Sequence, residues 1–532
     1  MVLLDFKEID TTAKLDAKTL FDLVKLSFGV VAGAGALVAL VVAYRRQRVD
    51  EAGAHREATR LHTERFSQAV DKLGSDSPAV RLGGVHALAG LADDAPTQDL
   101  RQTCIDVLCA YLRLPFSPDP GEDPAHQEEH HRYLALRTVR HTILRLIGDH
   151  YRRPQETHRS WQGCDLDLTG VVIDGSMNFS GAVFSGVTVN FSGAVFSGCT
   201  VNFTGATLSD GTVSFNDAEF SGATLAFGSA DFSSGKVNFY SADFSGGTVD
   251  FKYASFSGAT MNFVGATFSG GTVNFNSTEF SDGTVNFTGA EFSGGTVIFN
   301  RAVFSGGTVN FTGATFSDGT VIFNGAVFSG GTVNFTGAAF SGGTVNFTGA
   351  TLSGGTLHFK RADFSGSTVH FTGAEFTGGT VTFKRADFSG GTVHFANAEF
   401  TGATVHFLGA TFSENTVNFG GAAFSSGTVD FRNATGSAPP ELLAAISSPA
   451  SAVVIFPPPL GCPQFHDVEG RRTSRRAARE VHHPHIPWGF SPFLGATSWG
   501  LLGRYGPRHA WPWRRRSSCT GWGRTPGFRR RR

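Results

Sequence analysis

Between residues 177 and 431 the sequence repeats a twelve-residue unit, most often written TVNFTGATFSGG. One phenylalanine recurs at this period from Phe191 to Phe431 without a break. A second series, offset by five positions, runs from Phe184 to Phe424 and is interrupted only by two leucines. A fixed period of this kind is typical of a repeat architecture, in which stacked units share one continuous core. The period constrains the shape of the chain much more closely than its activity.

Each repeat consists of two five-residue units and a two-residue insert. Val or Ala usually stands two positions before the aromatic residue, as at Val285 before Phe287 and Ala290 before Phe292. This spacing places both side chains on one face of a short strand, and the Ser, Thr and Gly residues that follow favour a turn. One unit cannot bury its apolar face alone. We therefore expect coil to stack on coil, with each Phe packed on the Phe of the next coil.

The A-x-F-S-G and V-N-F-T-G units resemble pentapeptide repeats over nearly half of the chain. The resemblance implies a right-handed β-helix of roughly square cross-section with four units per coil. The inserted Gly-Thr departs from the family pattern, because the spacing then alternates between five and seven. Four units here take two full repeats, or twenty-four residues, whereas a coil of a single repeat would leave little room for two phenyl rings per layer. We therefore predict a quadrilateral β-helix with about twenty-four residues per coil.

The predicted core of this β-helix is a ladder built from both aromatic series. Its members are Phe191, Phe196, Phe203, Phe215, Phe220, Phe239, Phe244, Phe263, Phe268, Phe287, Phe292, Phe311, Phe316, Phe335, Phe340, Phe359, Phe364, Phe383 and Phe388.

Changes in composition along the chain predict an α-helical part followed by a β-solenoid. The predicted segments are an N-terminal segment (1–25), a transmembrane helix (26–44), an α-helical adaptor module (45–157), the pentapeptide-repeat β-helix (161–436), a candidate C-terminal cap (437–461) and a disordered basic tail rich in Arg, Trp and Pro (462–532).

The run from Leu26 to Tyr44 is apolar and uncharged, and Arg45, Arg46 and Arg48 follow it directly. At ~1.5 Å per residue it is just long enough to cross a hydrocarbon core of ~30 Å. A signal peptide and a buried helix of a soluble protein are the alternatives. A signal peptide would carry its basic residues before the apolar run and a small-residue cleavage site after it. We predict a single-pass membrane protein whose bulk is cytoplasmic, because the arginines flank the C-terminal side.

The adaptor module is predicted from two helical stretches, VRLGGVHALAGLADD and LRQTCIDVLCAYLRLP, which resemble a HEAT-type hairpin. The stretch that follows, SPDPGEDPAHQEEHHR, is interpreted as a solvated loop before a third helix. Its His130 and His131 are adjacent and would point in two directions, which disfavours a metal site. Trp161 and the third helix are expected to cover the open end of the β-helix.

Functional side chains of a β-helix would lie at its outward-facing positions. Asparagines before the core Phe are explained as stacked side-chain ladders. A coil of two repeats makes His370 and His394 neighbours on one face and puts His358 and His406 two coils apart on the opposite face, so the four histidines do not form one site. The basic pairs Lys360-Arg361 and Lys384-Arg385 also recur two repeats apart, and each is expected to form surface ion pairs with the acid that follows the arginine by two positions, Asp363 or Asp387.

No nucleophile elbow, phosphate-binding loop, H-E-x-x-H or dinucleotide fingerprint occurs in a fitting context. The six cysteines lack C-x-x-C spacing, so neither a zinc site nor a disulfide framework is indicated. We therefore predict a protein that is not an enzyme, with no catalytic, cofactor-binding or metal-binding residues and no cofactor.

The predicted function is a membrane-tethered scaffold for protein–protein interaction on the cytoplasmic side. Its expected partners are membrane lipid, through one helix, and an unidentified protein, with a homodimer formed through Gly29 and Gly33 as a further option. Nucleic acid is expected only through the basic tail. Two alternatives remain open: a DNA-mimic regulator of type II topoisomerase (gyrase), as some pentapeptide-repeat proteins are, and a surface-exposed adhesive or ice-binding rod presenting a threonine array.

Overall fold

A computed structural model describes residues 16–117, 119–412, 417–436 and 453–455. The predicted basic tail and nearly all of the candidate cap lie outside these residues, as does most of the predicted N-terminal segment.

Four α-helices precede the solenoid: α1 (Ala17–Leu73), α2 (Pro78–Asp93), α3 (Gln98–Arg113) and α4 (Gln127–Tyr151), with a 3₁₀ turn at Pro124–His126 before α4. Helix α1 joins the apolar run and the charged stretch after it in one continuous element of 57 residues. By length and composition α1 is able to span a membrane, and none of the residues in its most apolar stretch is buried. A signal sequence near the N-terminus can have the same length and apolar composition.

Helices α1 to α4 pack into one small module. Gly84 of α2 lies against the end of α1, where an added Cβ would stand 2.6 Å from the backbone nitrogen of Leu73. Leu88, Ile105 and Ile143 from α2, α3 and α4 are fully buried in the shared core. Helix α4 begins at Gln127, so the interpretation of the histidine-rich stretch as a loop is wrong for its second half. Acidic residues in the first turn of α4 favour this start, because acidic groups stabilise a helix N-terminus.

In the described residues the strands of the solenoid run parallel to their neighbours, all but two are two or three residues long, and they stack in four ladders. Ladder 1 contains Leu166–Asp167, Thr188–Asn190, Thr212–Ser214, Lys236–Asn238, Thr260–Asn262, Thr284–Asn286, Thr308–Asn310, Thr332–Asn334, Thr356–His358 and Thr380–Thr382. Ladder 2 contains Val172–Ile173, Val195–Ser197, Glu219–Ser221, Asp243–Phe244, Thr267–Phe268, Glu291–Phe292, Thr315–Phe316, Ala339–Phe340, Asp387–Phe388, Thr411–Phe412 and Thr435–Gly436.

The other two ladders occupy the alternate sides of each coil. Ladder 3 contains Met177–Asn178, Thr200–Asn202, Thr224–Ala226, Thr248–Asp250, Thr272–Asn274, Thr296–Ile298, Thr320–Ile322, Thr344–Asn346, Thr368–His370, Thr392–His394 and Val417–Asn418. Ladder 4 contains Val183–Ser185, Thr207–Ser209, Asp231–Phe232, Ser255–Phe256, Glu279–Phe280, Val303–Phe304, Val327–Phe328, Thr351–Leu352 and Glu375–Phe376. Two longer strands, Glu399–His406 and Ala423–Asp430, run from ladder 4 into ladder 1, and Val453–Ile455 pairs with the second of them.

The strand register confirms that one coil spans two of the twelve-residue repeats. Thr284 pairs with Thr308, and Phe292 pairs with Phe316, so strand partners lie two repeats apart in the sequence. The first coil differs slightly. Leu166 pairs with Val189, so this coil is one residue shorter than the regular coil. The twelve-residue repeat is half a coil, and four strands per coil give the quadrilateral β-helix predicted from the sequence.

The Phe ladder fills the interior of the coils. Each predicted core phenylalanine is at most 1 % exposed. Rings one coil apart stack nearly in parallel, with centroids separated by 4.6 Å for Phe239 and Phe263 and by 5.2 Å for Phe388 and Phe412. These separations match the ~4.8 Å spacing of hydrogen-bonded strands, so the backbone ladder and the aromatic ladder satisfy the same repeat.

Helix α4 covers the first coil, as expected. Tyr151 at its end is fully buried and contacts the rings of Phe179 and Phe184, each at 5.6 Å between centroids. Gly148 permits this approach, because an added Cβ would lie 2.6 Å from the backbone oxygen of the first strand of ladder 3. Trp161 is also fully buried and stacks on the ring of a histidine in α4 at 4.2 Å. The helical module therefore closes the edge that a β-solenoid would otherwise expose.

Candidate interaction surfaces

The outward positions of ladders 1 and 3 carry mainly Thr and Asn, and many of the asparagines are committed to the fold. The Oδ1 atom of Asn310 accepts hydrogen bonds from the backbone nitrogen of Thr312 at 3.1 Å and from its hydroxyl at 2.6 Å. The same pair of bonds recurs at Asn286, one coil earlier. These asparagines stabilise the corner after each strand, so they do not form a row of free amides for a ligand.

Acidic side chains stand at the variable outward position of ladders 2 and 4. On ladder 2 they are Glu219, Asp243, Glu291, Asp363 and Asp387, and other coils place Val, Thr or Ala there. A DNA mimic needs acids at the charge spacing of a duplex, which is about one charge per 1.7 Å of axis. The interrupted acidic columns fall well short of that density, and the geometry does not favour the topoisomerase alternative.

The four histidines of the last coils lie where the coil length predicts. His370 and His394 are stacked on ladder 3 with ring centroids 4.9 Å apart. His358 and His406 lie two coils apart on ladder 1, with Thr382 between them. Burial, with a smaller effect from the neighbouring His394 ring, lowers the pKa of His370. Within the described ranges no group of three or more His, Cys, Asp or Glu residues is placed to hold a metal ion.

The two basic pairs lie on one corner of the solenoid, between ladders 1 and 2, in consecutive coils. The expected ion pairs with the following acids are not formed: among the described residues, no ion pair joins Lys360 or Arg361 to Asp363, or their counterparts one coil later to Asp387. Asp363 instead accepts a hydrogen bond from the backbone nitrogen of Ser365 at 2.9 Å. We call Lys360, Arg361, Lys384 and Arg385 the basic corner.

A groove lies in the helical module. It has a volume of about 510 Å³, lies between α1 and α2, and is lined by His62, Arg65, Lys72 and Asp94 among others. His62 Nε2 lies 3.7 Å from the sulfur of Cys104, which is a separation that a catalytic dyad could have. Burial, however, raises the pKa of Cys104 to about 12 and lowers the pKa of His62. The thiol therefore stays protonated, and a nucleophilic role is disfavoured.

Two polar clusters join the helical module to the first coil. Asp93 accepts a hydrogen bond from Trp161 Nε1 at 3.0 Å and lies 3.3 Å from the Nε2 atom of the histidine that stacks on this tryptophan. Asp174 lies 2.9 Å from His141 Nε2 and accepts a hydrogen bond from Arg137 Nε at 2.5 Å. Burial alone would raise the pKa of Asp174, but these two hydrogen bonds outweigh it and lower the pKa. Both clusters therefore have a structural role, in which they hold the helical module against the solenoid.

The arginines at the end of the apolar run, Arg45, Arg46 and Arg48, are exposed on α1. Arg48 Nε donates a hydrogen bond to the hydroxyl of Tyr44 at 3.0 Å, and its guanidinium lies over the same ring. An aromatic residue beside cationic residues is typical of the boundary between membrane and water. The glycines proposed for a homodimer, Gly29 and Gly33, have open space around them on the same helix.

Comparison of the chain with protein-family models, with curated proteins and with solved structures finds no match. A parallel solenoid with a Phe ladder and two repeats per coil is consistent with a pentapeptide-repeat fold, and repeat solenoids typically serve as binding scaffolds.

Proposed function

We propose that this chain is a non-enzymatic interaction scaffold of the pentapeptide-repeat type, held at a membrane by α1, with its solenoid in the cytoplasm. The observation that carries the proposal is the contrast between the inside and the outside of the solenoid. The inside is a continuous aromatic core, and the outside is a long, regular surface of small polar side chains in four ladders. Such a surface suits recognition by another protein better than it suits catalysis.

Membrane attachment is supported by the exposure of the apolar part of α1. Leu26, Phe28 and Leu40 are each more than two-thirds exposed, and nothing in the described chain packs on them. Burying this apolar surface in a bilayer removes it from water. The arginines after Tyr44 favour the cytoplasm for the C-terminal side.

The membrane part of the proposal is tested by a pair of arginine substitutions at equally exposed positions of α1. Val38 lies in the apolar run and Val49 lies just beyond the arginines, with exposures of 63 % and 65 %. Arginine near the centre of a spanning helix costs about 3 kcal/mol, so Val38→Arg should shift the chain from the membrane pellet to the soluble fraction. Val49→Arg should remain in the pellet. Equal behaviour of the two variants would contradict a membrane span.

Orientation and processing need two further measurements on the wild-type chain. Protease added to intact cells should spare the solenoid, and protease added to inverted vesicles should digest the chain up to the membrane. Cleavage in intact cells would instead support the surface-exposed rod. The intact mass should include residues 26–44, and a mature chain that lacks them would identify a signal sequence.

The scaffold role is tested by photo-crosslinking inside cells from single outward positions. A photoreactive residue at the exposed Thr315 of ladder 2 should give a discrete adduct with another protein, and the equivalent residue at the exposed Arg132 of α4 serves as the control. Absence of adducts from exposed positions on all four ladders would contradict the proposal.

A further inference from the structure

The basic corner repeats a short sequence, FKRADFSG, in two consecutive coils. The backbone nitrogen of Arg361 donates a hydrogen bond to the carbonyl of Lys384 at 3.0 Å, which stacks the second copy directly on the first. The adjacent rings of Phe359 and Phe383 are 4.9 Å apart. Four cationic side chains therefore share one corner within a single coil spacing.

These cations have no carboxylate partner within the described residues. Asp363 and Asp387 each follow the arginine of their coil, but each bonds the backbone nitrogen of its own turn, at 2.9 Å in both cases. Three of the four basic side chains are exposed, and Lys384 is half-buried. Unpaired cations at this density repel one another. Consistent with that field, the charge of Lys360 adds to burial in lowering the pKa of His358.

The arginines also occupy an unfavourable backbone conformation. Arg361 and Arg385 have φ values of 57° and 58°, where most other coils have glycine at the same corner, such as Gly313 and Gly337, and a few have another residue, such as Asp217 and Ser241. A residue other than Gly, Asn or Asp in this region is uncommon and carries strain. The Thr-Gly corners at these glycines are an unstrained, neutral version of the same turn. The strained, charged version appears twice in succession.

We propose that the basic corner is the docking site for a short acidic segment of a partner protein. This inference rests on the scaffold function proposed above and specifies the chemistry of its partner. A long polyanion or an anionic membrane would cover neighbouring coils as well. It would then meet the acids of ladders 2 and 4, which outnumber the bases elsewhere on the solenoid, and be repelled. A short segment with a few carboxylates fits the one corner where cations are concentrated.

The test uses the purified full-length chain in detergent and a blocked octaglutamate peptide. The peptide is activated with carbodiimide, the excess reagent is quenched, and the lysines that become acylated are identified by mass spectrometry. The Arg-rich tail contains no lysine, so it gives no signal. Lys236 and Lys252 on the same solenoid are matched controls, because one is exposed and the other half-buried, as at the basic corner.

We expect acylation of Lys360 and Lys384 to exceed that of the two control lysines by about tenfold in low salt, since each additional exposed ion pair contributes a modest factor. About 0.5 M NaCl should remove the difference. The double variant Arg361→Gly/Arg385→Gly restores the glycine that neighbouring coils have at this corner and should fold without strain. It should reduce acylation of both lysines about threefold or more. The control variant Arg301→Gly, at another corner, should leave them unchanged.

Equal acylation of all four lysines, or no effect of the double variant, would overturn the acidic-segment inference. Competitors that are not activated give a further check. If a dodecathymidine oligonucleotide or anionic vesicles reduce the acylation of Lys360 and Lys384 more strongly than free octaglutamate does, the inference is also overturned. None of these results bears on the membrane span or on the adducts from ladder 2, so the scaffold proposal fails or stands by its own experiments.

Discussion

Replacing Phe311 by alanine should loosen the solenoid locally and strongly. Phe311 is fully buried, and its ring stacks between Phe287 at 4.8 Å and Phe335 at 4.7 Å. Its centroid also lies 6.0 Å from that of Phe316, with the two rings tilted by 54°. Removing the ring therefore removes contacts to the coil before, the coil after and its own coil.

The size of the effect follows from two contributions. Losing the burial of the ring costs about 2.5 kcal/mol. The cavity left behind, roughly 100 Å³, costs about 2.4 kcal/mol at 24 cal/mol per Å³ if it does not collapse. Collapse is limited because the backbone of Phe311 is fixed by a hydrogen bond from its nitrogen to the carbonyl of Asn334 at 2.7 Å. We expect the local free energy of opening to fall by about 5 kcal/mol, the upper end for this substitution.

Hydrogen exchange followed by mass spectrometry measures this opening coil by coil. Each 1.4 kcal/mol is tenfold, so amides in residues 284–340 should exchange about three and a half orders of magnitude faster in Phe311→Ala. Coils near residues 190–215 should be unchanged, because each coil contacts only its neighbours.

The matched control is Phe311→Leu, since the chain itself places Leu208 and Leu352 in the second aromatic series. Leucine should cost about 1.5 kcal/mol or less. Nearest-neighbour stacking is refuted if the amides of the Phe311→Ala and Phe311→Leu variants exchange equally fast. It is also refuted if the faster exchange spreads evenly along the solenoid.

Three further outcomes are expected. Gly148→Ala should lower the melting temperature, because its Cβ would meet the backbone of the first coil, whereas Gly90→Ala, with open space around it, should raise it slightly; scanning calorimetry compares them. Hydrogen bonds from Arg432 lower the pKa of Asp430 below 3.8. This pair therefore stabilises the last coil above that pH, and the stabilisation disappears as the pH falls below it. Asp430→Asn should remove this pH dependence, measured as the rate of amide hydrogen exchange in the last coil. Cys104, with its pKa raised to about 12, should resist alkylation at pH 8 until denaturant is added, as peptide mapping would show.

The solenoid was predictable because the residues that determine the fold, the core phenylalanines and the turn residues after them, recur at a fixed spacing in the sequence. Two aromatic series in constant register allow one kind of layer, and the volume of two phenyl rings excludes a coil made of a single repeat. The Phe ladder and the four strand ladders follow from that constraint. The shorter spacing of the first coil, with Leu166 opposite Val189, was not predictable, because Leu166 precedes the regular repeat.

The predicted ion pairs failed because local hydrogen bonding competes with ion pairing. Sequence proximity puts Asp363 next to Lys360 and Arg361, but an aspartate can bond the backbone nitrogen two positions ahead, and Asp363 does so with Ser365. The start of α4 at Gln127 was missed for a similar reason. The density of Pro and acid before it suggested a loop, although acids in a first turn also favour a helix.

The continuity of α1 sets the mechanics of the whole N-terminal half. From Arg45 the helix runs without a break to His62, its first buried side chain, where it meets the module. At ~1.5 Å per residue, this stretch is a stiff arm of about 25 Å. With no hinge in the arm, a tilt or rotation of the apolar run turns the module through the same angle. In a bilayer, the tilt and rotation of α1 in the lipid would thereby set the orientation of the basic corner relative to the membrane.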